Sequence, residues 1–312
     1  MMRSDNNNLE AETADTCCAS CGIIEVDDVK LTECDGCDLV RYCSDNCRED
    51  HRPEHEAKCK ERVAELRDEI LFKQPESSHL GDCPICCLPL PLEQRKSMLQ
   101  SCCGKYICNG CDYTNRRRQF QENLERTCLF CRHPLPNTQE EFTMNLMKRV
   151  EANDSFALSQ MGFRHFNEGD YENACKYWTK AAEIGNANAH YQLSLSYMKG
   201  EGVEKDEKKE LYHLEEASIQ GHPHARFNLG CYEAKKGRIE RAVRHLIIAA
   251  NLGFDRSIEL LKEFYKKELE LVSKEVFAAA LRGHHAAVKA TKSQQRDAAA
   301  KYAVCSERMG SK

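Results

Sequence analysis

Long apolar runs are missing from this sequence. No stretch approaches the roughly 18 to 20 apolar residues that a membrane-spanning helix needs, and Met1–Glu10 has no apolar run typical of a secretion signal. A chain that is not exported stays in a reducing compartment, where disulfides are rare. We therefore expect an intracellular protein, cytoplasmic or nuclear, with no membrane partner.

Excess positive charge is missing as well. The 50 acidic residues outnumber the 45 Lys and Arg residues, which gives a net charge of −5. Binding to nucleic acid takes a broad basic surface that neutralises phosphates, so we expect no nucleic-acid partner. The sequence also has no phosphate-binding loop, dinucleotide fingerprint, Ser-His-Asp order or His-Glu-x-x-His pair. It therefore predicts no catalytic side chain.

Cysteine is scarce after residue 131 and dense before it. Only Cys175, Cys231 and Cys305 of the 20 cysteines lie in the second part of the chain. Dense cysteine in a reducing compartment indicates metal binding rather than disulfides. A length of 312 residues leaves room for two or three domains, so we expect metal-binding domains first and a different kind of domain after them.

Eight cysteines stand as four pairs between residues 83 and 131: Cys83, Cys86, Cys102, Cys103, Cys108, Cys111, Cys128 and Cys131. A segment of about fifty residues is too short to build a large apolar core, so a metal is expected to hold it together. Four pairs of thiolates supply the ligands of two tetrahedral zinc ions. The extra thiol of Cys87 is predicted to be a small buried side chain.

A second set of ligands precedes this one, with the spacings Cys18-x2-Cys21, Cys34-x2-Cys37, Cys43-x3-Cys47 and His55-x3-Cys59. An x2 pair suits a tight knuckle, whereas residues at i and i+4 lie on one face of a helix. The spacing predicts two knuckles followed by two short helices, holding two further zinc ions. Cys17 and His51 are alternatives to Cys18 and His55, but only the latter two keep the spacing.

The first set of ligands, with Tyr42-Cys43-Ser44 in its middle, resembles the MYND zinc finger. The resemblance implies interleaved ligands, with Cys18, Cys21, Cys43 and Cys47 on one zinc ion and Cys34, Cys37, His55 and Cys59 on the other. It also implies protein interaction, often with short proline-containing peptides. Two positions differ from the family pattern: Arg48 stands where Gln is usual, and Arg52 stands where Trp is usual.

The pattern between Cys83 and Cys131 resembles a RING finger, with Lys105 at a position where a His ligand is common and Leu129 where Pro is usual. The resemblance implies that Cys83, Cys86, Cys108 and Cys111 share one zinc ion, and that Cys102, Cys103, Cys128 and Cys131 share the other. Many RING fingers are ubiquitin ligases that hold a charged conjugating enzyme in a reactive pose. Ile85, Arg132 and Pro134 match positions that contact that enzyme. A non-catalytic platform is the alternative, because fold does not fix function.

Alanine, glycine and aromatic residues recur after residue 154 with a period of thirty-odd residues. Three copies run from Ala157 to Gly185, Ala189 to Gly221 and Ala225 to Gly253, and a degenerate fourth runs from Ser257 to Arg282. Stacked helix pairs with this period form a solenoid. The loop Gly200-Glu-Gly202-Val203 resembles that of Sel1-like repeats, relatives of tetratricopeptide repeats, which implies a concave surface for a protein partner of unknown identity.

These observations predict a multidomain fold, two small cross-braced zinc domains followed by an all-α solenoid of Sel1-like repeats. The predicted boundaries are 1–16 disordered, 17–59 MYND-type finger, 60–82 helix and linker, 83–134 RING-type finger, 135–154 connecting helix, 155–283 repeats and 284–312 charged tail. The module order is similar to that of predicted algal and diatom proteins. Because folding of a zinc domain depends on its metal, we expect chelation to melt residues 17–132 and leave the repeats largely intact.

Two functional hypotheses follow from this organisation. In the first, the protein is a zinc-binding interaction protein whose RING finger is a ubiquitin ligase, with substrates recruited by the repeats and the MYND finger. In the alternative, it is a non-enzymatic scaffold in which all three modules bind proteins. Transcriptional corepression through the MYND finger is a further hypothesis.

Overall fold

The computed structural model describes residues 17–26, 28–267 and 272–310, so the segment 1–16 that was predicted to be disordered lies outside the described residues. The chain divides into two compact units, with the boundary between Lys73 and Gln74. Among the described helices, none is both long enough and apolar enough to cross a membrane.

The described part of the first unit, residues 17–26 and 28–73, consists of short strands, knuckles and one long helix. Strand β1 (Thr32–Glu33) pairs antiparallel with β2 (Arg41–Tyr42). Helix α1 (Asp45–Leu71) begins after Ser44, whose hydroxyl accepts a hydrogen bond from the backbone N–H of Cys47. The prediction of two short helices here is wrong, because α1 continues through Pro53. One proline removes a single helical N–H, and the Glu, Ala, Lys, Arg and Leu residues that follow it favour helix.

The second unit begins with a small zinc-finger-like region, which contains the eight paired cysteines between Cys83 and Cys131. Strand β3 (Ser97–Gln100) follows a short 3₁₀ turn (Gln94–Lys96) and pairs antiparallel with β4 (Lys105–Cys108). Helix α2 (Asn109–Gln121) starts directly after β4. The inner cysteine pairs lie where this hairpin turns and where it enters the helix, so the local fold presents both pairs to the outer knuckles.

A series of helices fills most of the second unit. They are α3 (Gln139–Glu151), α4 (Ser155–Asn167), α5 (Tyr171–Glu183), α6 (Ala187–Lys199), α7 (Glu207–Ile219), α8 (Pro223–Lys235), α9 (Ile239–Asn251), α10 (Asp255–Lys266), α11 (Lys274–Ala290) and α12 (Gln294–Gly310). From α3 to α11, each helix packs against the next one in sequence. This nearest-neighbour packing is that of a helical-repeat solenoid.

Small residues allow the repeat helices to approach one another closely. Ala157, Ala189 and Ala225 occupy the same position in α4, α6 and α8, and all three are fully buried. Larger side chains fill the space between the helices, with Trp178 in the core of the first repeat and Phe227 in that of the third. Both aromatic residues therefore belong to the core of the solenoid.

Residues 284–310, the described part of the predicted charged tail 284–312, are not a solvated tail. Residues 284–290 complete α11, and α12 packs against α2 of the zinc-finger-like region. Tyr302 of α12 lies with its ring centroid 5.1 Å from that of Tyr113. A Cβ atom on Gly110 would lie only 2.8 Å from the backbone nitrogen of Arg296, so the glycine permits the close approach. The alanine-rich sequence of α12 is typical of a solvated tail, but small side chains also allow two helices to pack closely.

The zinc-finger-like region and the repeats also pack together, although the sequence predicted separate domains joined by a connecting helix. The backbone N–H of His79, in the predicted linker, donates to the carbonyl of Gly221 at 3.0 Å. The ring of Tyr106 on β4 lies edge-on to that of Phe156 on α4, with centroids 5.1 Å apart. Leu92 packs against the core cluster that contains Phe227. The second unit is therefore one packed body.

Candidate metal centres

Four groups of potential metal ligands are present among the described residues, and in each group all four ligand atoms lie within 4.8 Å of one another. The groups are Cys18, Cys21, Cys43 and Cys47; Cys34, Cys37, His55 and Cys59; Cys83, Cys86, Cys108 and Cys111; and Cys102, Cys103, Cys128 and Cys131. The structure thus brings together the same four sets that the resemblances implied, with the pairs of each domain interleaved.

The sulfur–sulfur distances fit a tetrahedral zinc ion. Four thiolates at about 2.3 Å from zinc would lie about 3.8 Å from one another. The Sγ atoms of Cys34 and Cys59, Cys86 and Cys108, and Cys103 and Cys128 are each 3.8 Å apart. Other pairs lie at 3.3 to 3.6 Å. A disulfide would require about 2.0 Å, and none of the described cysteines forms one.

Three of the knuckles share one backbone geometry. The residue after the second ligand has a left-handed conformation in each, with φ of 74° at Gly22, 52° at Cys87 and 61° at Arg132. Its backbone N–H donates to the carbonyl of the first ligand residue, at 2.9 Å in all three knuckles. Left-handed backbone is uncommon outside glycine, so the knuckle turn imposes an unusual conformation on Cys87 and Arg132. The thiol of Cys87 is exposed, and the prediction that it is buried is wrong.

Helix α1 supplies three ligands of the first unit: Cys47, His55 and Cys59. The Nε2 atom of His55 lies 3.3 Å from the Sγ atom of Cys37. Burial lowers the pKa of His55, which favours the neutral imidazole that binds zinc. The competing His51 instead places Nδ1 3.1 Å from the hydroxyl of Tyr42.

Crowding of the thiols favours a cation at the centre of each cluster. Hydrogen bonding to Cys21 raises the pKa of Cys43 to about 12. Burial, together with hydrogen bonding to Cys34, raises the pKa of Cys59 to about 12. Four thiolates this close repel one another, so a bare cluster keeps some of its thiols protonated. A zinc ion would hold all four ligands as thiolates or neutral imidazole, and the donor set fits it.

The residues predicted to contact a conjugating enzyme lie on the two outer knuckles of the second unit. Ile85, in the knuckle of Cys83 and Cys86, is 38% exposed. Arg132 and Pro134 follow the knuckle of Cys128 and Cys131, and both are exposed. Sequence reasoning missed the left-handed turn at Arg132, which the position directly after an x2 pair could have indicated.

Comparison with known protein families identifies two modules. The MYND finger model matches residues 18–59, and the Sel1 repeat model matches residues 155–186, 187–222 and 223–254. The chain therefore contains a MYND finger and three Sel1 repeats, which confirms these two predictions. The fourth copy predicted from the sequence corresponds to the helix pair α10 and α11. A MYND finger and Sel1 repeats are both protein-interaction modules, so the chain belongs to the class of modular protein-interaction proteins.

Solved structures of repeat proteins are similar to part of the chain. A Sel1 repeat protein from Oxalobacter formigenes is 25% identical, with 58% of this chain and 73% of that chain covered and a TM-score of 0.43. The protective antigen c5321 of uropathogenic Escherichia coli, which has an SLR fold, is 20% identical, with 54% and 37% covered and a TM-score of 0.38. The search of curated proteins found no match.

Proposed function

We propose that this protein is a zinc-dependent adaptor that binds other proteins through its MYND finger and its Sel1 repeats. Four zinc ions, two in each zinc-binding region, hold its N-terminal part in shape. The main support for this proposal is that each of the four clusters offers a complete set of four protein ligands, which leaves no open coordination position. Structural zinc sites are closed in this way, whereas catalytic sites keep a position open for water or substrate.

The surface of the MYND finger fits a role in binding. Ile23, Ile24 and Val26 are exposed apolar side chains just beyond its first knuckle. Arg48, at the position where the family usually has Gln, forms an ion pair with Asp35 at 2.7 Å. Its side chain is thus directed along the finger's own surface. A short peptide is the ligand class that the MYND finger favours.

Zinc analysis and peptide binding test the adaptor function together. Elemental analysis of the purified protein is expected to give four zinc ions per chain. Cys34→Ser should lower zinc content and abolish binding to an array of proline-containing peptides, because it removes a ligand of the second cluster. Cys17→Ser, which changes a thiol outside the four clusters, should leave both measurements unchanged. A content of two ions or fewer in the unaltered protein would contradict the four-ion assignment.

Ubiquitin-ligase activity is a second candidate function. The exposure of Ile85 and Pro134 on the two outer knuckles favours it, since a ligase of this type needs surface contacts rather than a catalytic side chain. Under this hypothesis, Ile85→Ala lowers ubiquitin discharge from a conjugating enzyme at least about tenfold, which corresponds to ~1.4 kcal/mol of lost transition-state stabilisation. Zinc content and folding remain unchanged.

Met98→Ala is the matched control for this experiment. Met98 is 37% exposed, close to the 38% of Ile85, but it lies on β3 rather than on a knuckle. Discharge should therefore persist in Met98→Ala. If the zinc-loaded protein causes no ubiquitin discharge from any conjugating enzyme in a panel, the ligase hypothesis is wrong. The proposed adaptor function would be unaffected by that result.

A further inference from the structure

A cavity of about 410 Å³ lies inside the second unit, where the zinc-finger-like region meets the first two repeats. Its volume is within the range of small-molecule sites, about 300 to 1,000 Å³. Leu90, Tyr106 and Phe156 give it an apolar part. The zinc clusters and the predicted enzyme-contact residues do not line this cavity, so neither function proposed above uses it.

Two helix N-termini meet at this cavity. Its lining includes Ser155 and Phe156, the first two residues of α4, and Ala187 and Asn188, the first two of α6. The N-cap side chains of Asp154 and Asn186 each satisfy the N–H of the third helical residue. The amides at the first two positions have no partner inside a helix. Together with the helix dipoles, they attract negative charge.

The side chain of Asn186 fixes the two helix ends relative to each other. Its Oδ1 atom accepts from the N–H of Ala189 at 2.9 Å, and its Nδ2 atom donates to the carbonyl of Ser155 at 3.3 Å. One residue thus caps α6 and holds the start of α4. The first two residues of each helix are therefore held around one space, which lowers the cost of ordering them around a ligand.

A buried hydroxyl provides an independent observation. Ser159 lines the cavity and is 1% exposed, yet its Oγ atom has no hydrogen-bond partner within residues 17–26, 28–267 and 272–310. Nδ1 of His79, another lining residue, is also buried without a partner in the described part of the chain. A buried polar atom without a partner is costly and uncommon. An unsatisfied polar atom on each of two lining residues therefore favours a ligand at this site.

The charged side chains around the cavity do not oppose an anion. Asp82 and Lys105 are the only ionised side chains among its described lining residues, and their charges cancel. The carboxylate of Asp154, at the start of α4, is paired with Arg149 at 2.6 Å. Gly185 and Gln220, which follow the C-termini of α5 and α7, also line the cavity. The positive potential is therefore confined to the part of the cavity beside the N-termini of α4 and α6.

We propose that this cavity binds a small molecule with an anionic oxygen group, a phosphate or a carboxylate, placed against the N-termini of α4 and α6. The hydroxyl of Ser159 donates to the ligand, and the rings of Tyr106 and Phe156 contact its apolar part. The bound molecule bridges the zinc-finger-like region and the repeats. The protein thereby has a small-molecule site in addition to its protein-binding surfaces.

Calorimetric titration of the zinc-loaded full-length protein with inorganic phosphate, phenyl phosphate and benzoate tests this proposal. Saturable binding of one ligand per chain is expected for at least one probe. Phenyl phosphate binding more tightly than benzoate identifies a phosphate site, and the reverse order identifies a carboxylate site. Failure of all three probes to bind at concentrations up to about 10 mM, equivalent to less than ~3 kcal/mol of binding free energy, would overturn the proposal.

Variants separate ligand binding from stability. Ser159→Ala should weaken the binding of the best probe about tenfold, the loss expected for a hydrogen bond to a charged group, without lowering the melting temperature. Ser257→Ala is the matched control, because Ser257 is equally buried and its hydroxyl is equally without a partner in the described residues, but it lies in α10, away from the cavity. It should leave binding unchanged. Equal affinity in both variants would count against the site.

Asn188→Asp gives a second and stronger test. A carboxylate at the second position of α6 is favourable for the helix dipole, so the variant should be at least as stable as the unaltered protein. The same negative charge would repel an anion in the cavity and compete for the amides. Binding of the best probe should therefore fall more than about tenfold. Unchanged binding in this variant would show that the anion does not sit at the helix termini.

Discussion

Cys83→Ser will remove one zinc ion and unfold the zinc-finger-like region of the second unit. Cys83 is fully buried, and its cluster also contains Cys86, Cys108 and Cys111. Structural zinc contributes about 10 to 16 kcal/mol to the folding of small zinc domains. That amount is comparable to or larger than the ~5 to 15 kcal/mol that stabilises an ordinary domain. Zinc analysis should show the loss of at least one ion per chain.

Cys87→Ser, in the same knuckle, is the control for this variant. The exposed thiol of Cys87 belongs to none of the four clusters, and serine is similar in size. It should retain all zinc and the melting temperature of the unaltered protein. Equal zinc loss in both variants would show that the assignment of Cys83 as a ligand is wrong.

The effect of zinc loss should extend into the helical repeats. Arg296 of α12 donates from Nη2 to the Sγ atom of Cys86 at 3.5 Å and to the carbonyl of Leu88 at 3.2 Å. Tyr106 contacts Phe156 of the first repeat. The packing therefore changes our sequence-based expectation that chelation leaves the repeats intact. Circular dichroism should show that the repeats of Cys83→Ser melt several degrees below those of Cys87→Ser, and identical melting would contradict this coupling.

Gly162→Ala will destabilise the first repeat by about 3 kcal/mol, at the upper end of the usual cost of overpacking a core. A Cβ atom at this position would lie only 2.3 Å from the indole Nε1 atom of Trp178. Trp178 is fully buried, and its Nε1–H donates to the carbonyl of Ser159 at 3.2 Å. The rigid indole ring has no room to move, so the new methyl group also disrupts this hydrogen bond.

Gly230→Ala is the matched control, because Gly230 occupies the same place in α8 that Gly162 occupies in α4. There a new Cβ would lie 3.1 Å from side-chain atoms of Leu246 and 3.3 Å from the carbonyl oxygen of Ala242, both much farther than the indole is from a Cβ at Gly162. Replacing glycine with alanine in a helix gains about 1 kcal/mol, which should offset the remaining strain. Urea unfolding followed by the fluorescence of Trp178, the only tryptophan, measures both variants. Similar destabilisation by the two would contradict the proposed role of the indole contact.

Sequence alone determined the modules of this protein and the residues that carry them. The MYND finger follows from spacings such as Cys43-x3-Cys47, and the Sel1 repeats follow from a period in the thirties. Both patterns are local, because a knuckle or a helix pair forms from residues a few positions apart. For the same reason, spacing could choose His55 over His51.

Tertiary structure alone decided how the zinc-finger-like region and the repeats pack within the second unit. Residues as distant as Arg296 and Cys86 come into contact, and no local pattern indicates that α12 packs on α2. The cavity likewise depends on two helices and a zinc-finger-like region that converge from separate parts of the chain. Spacing along a chain encodes a local turn, whereas contact between distant elements depends on the complementary shapes of surfaces that exist only after folding.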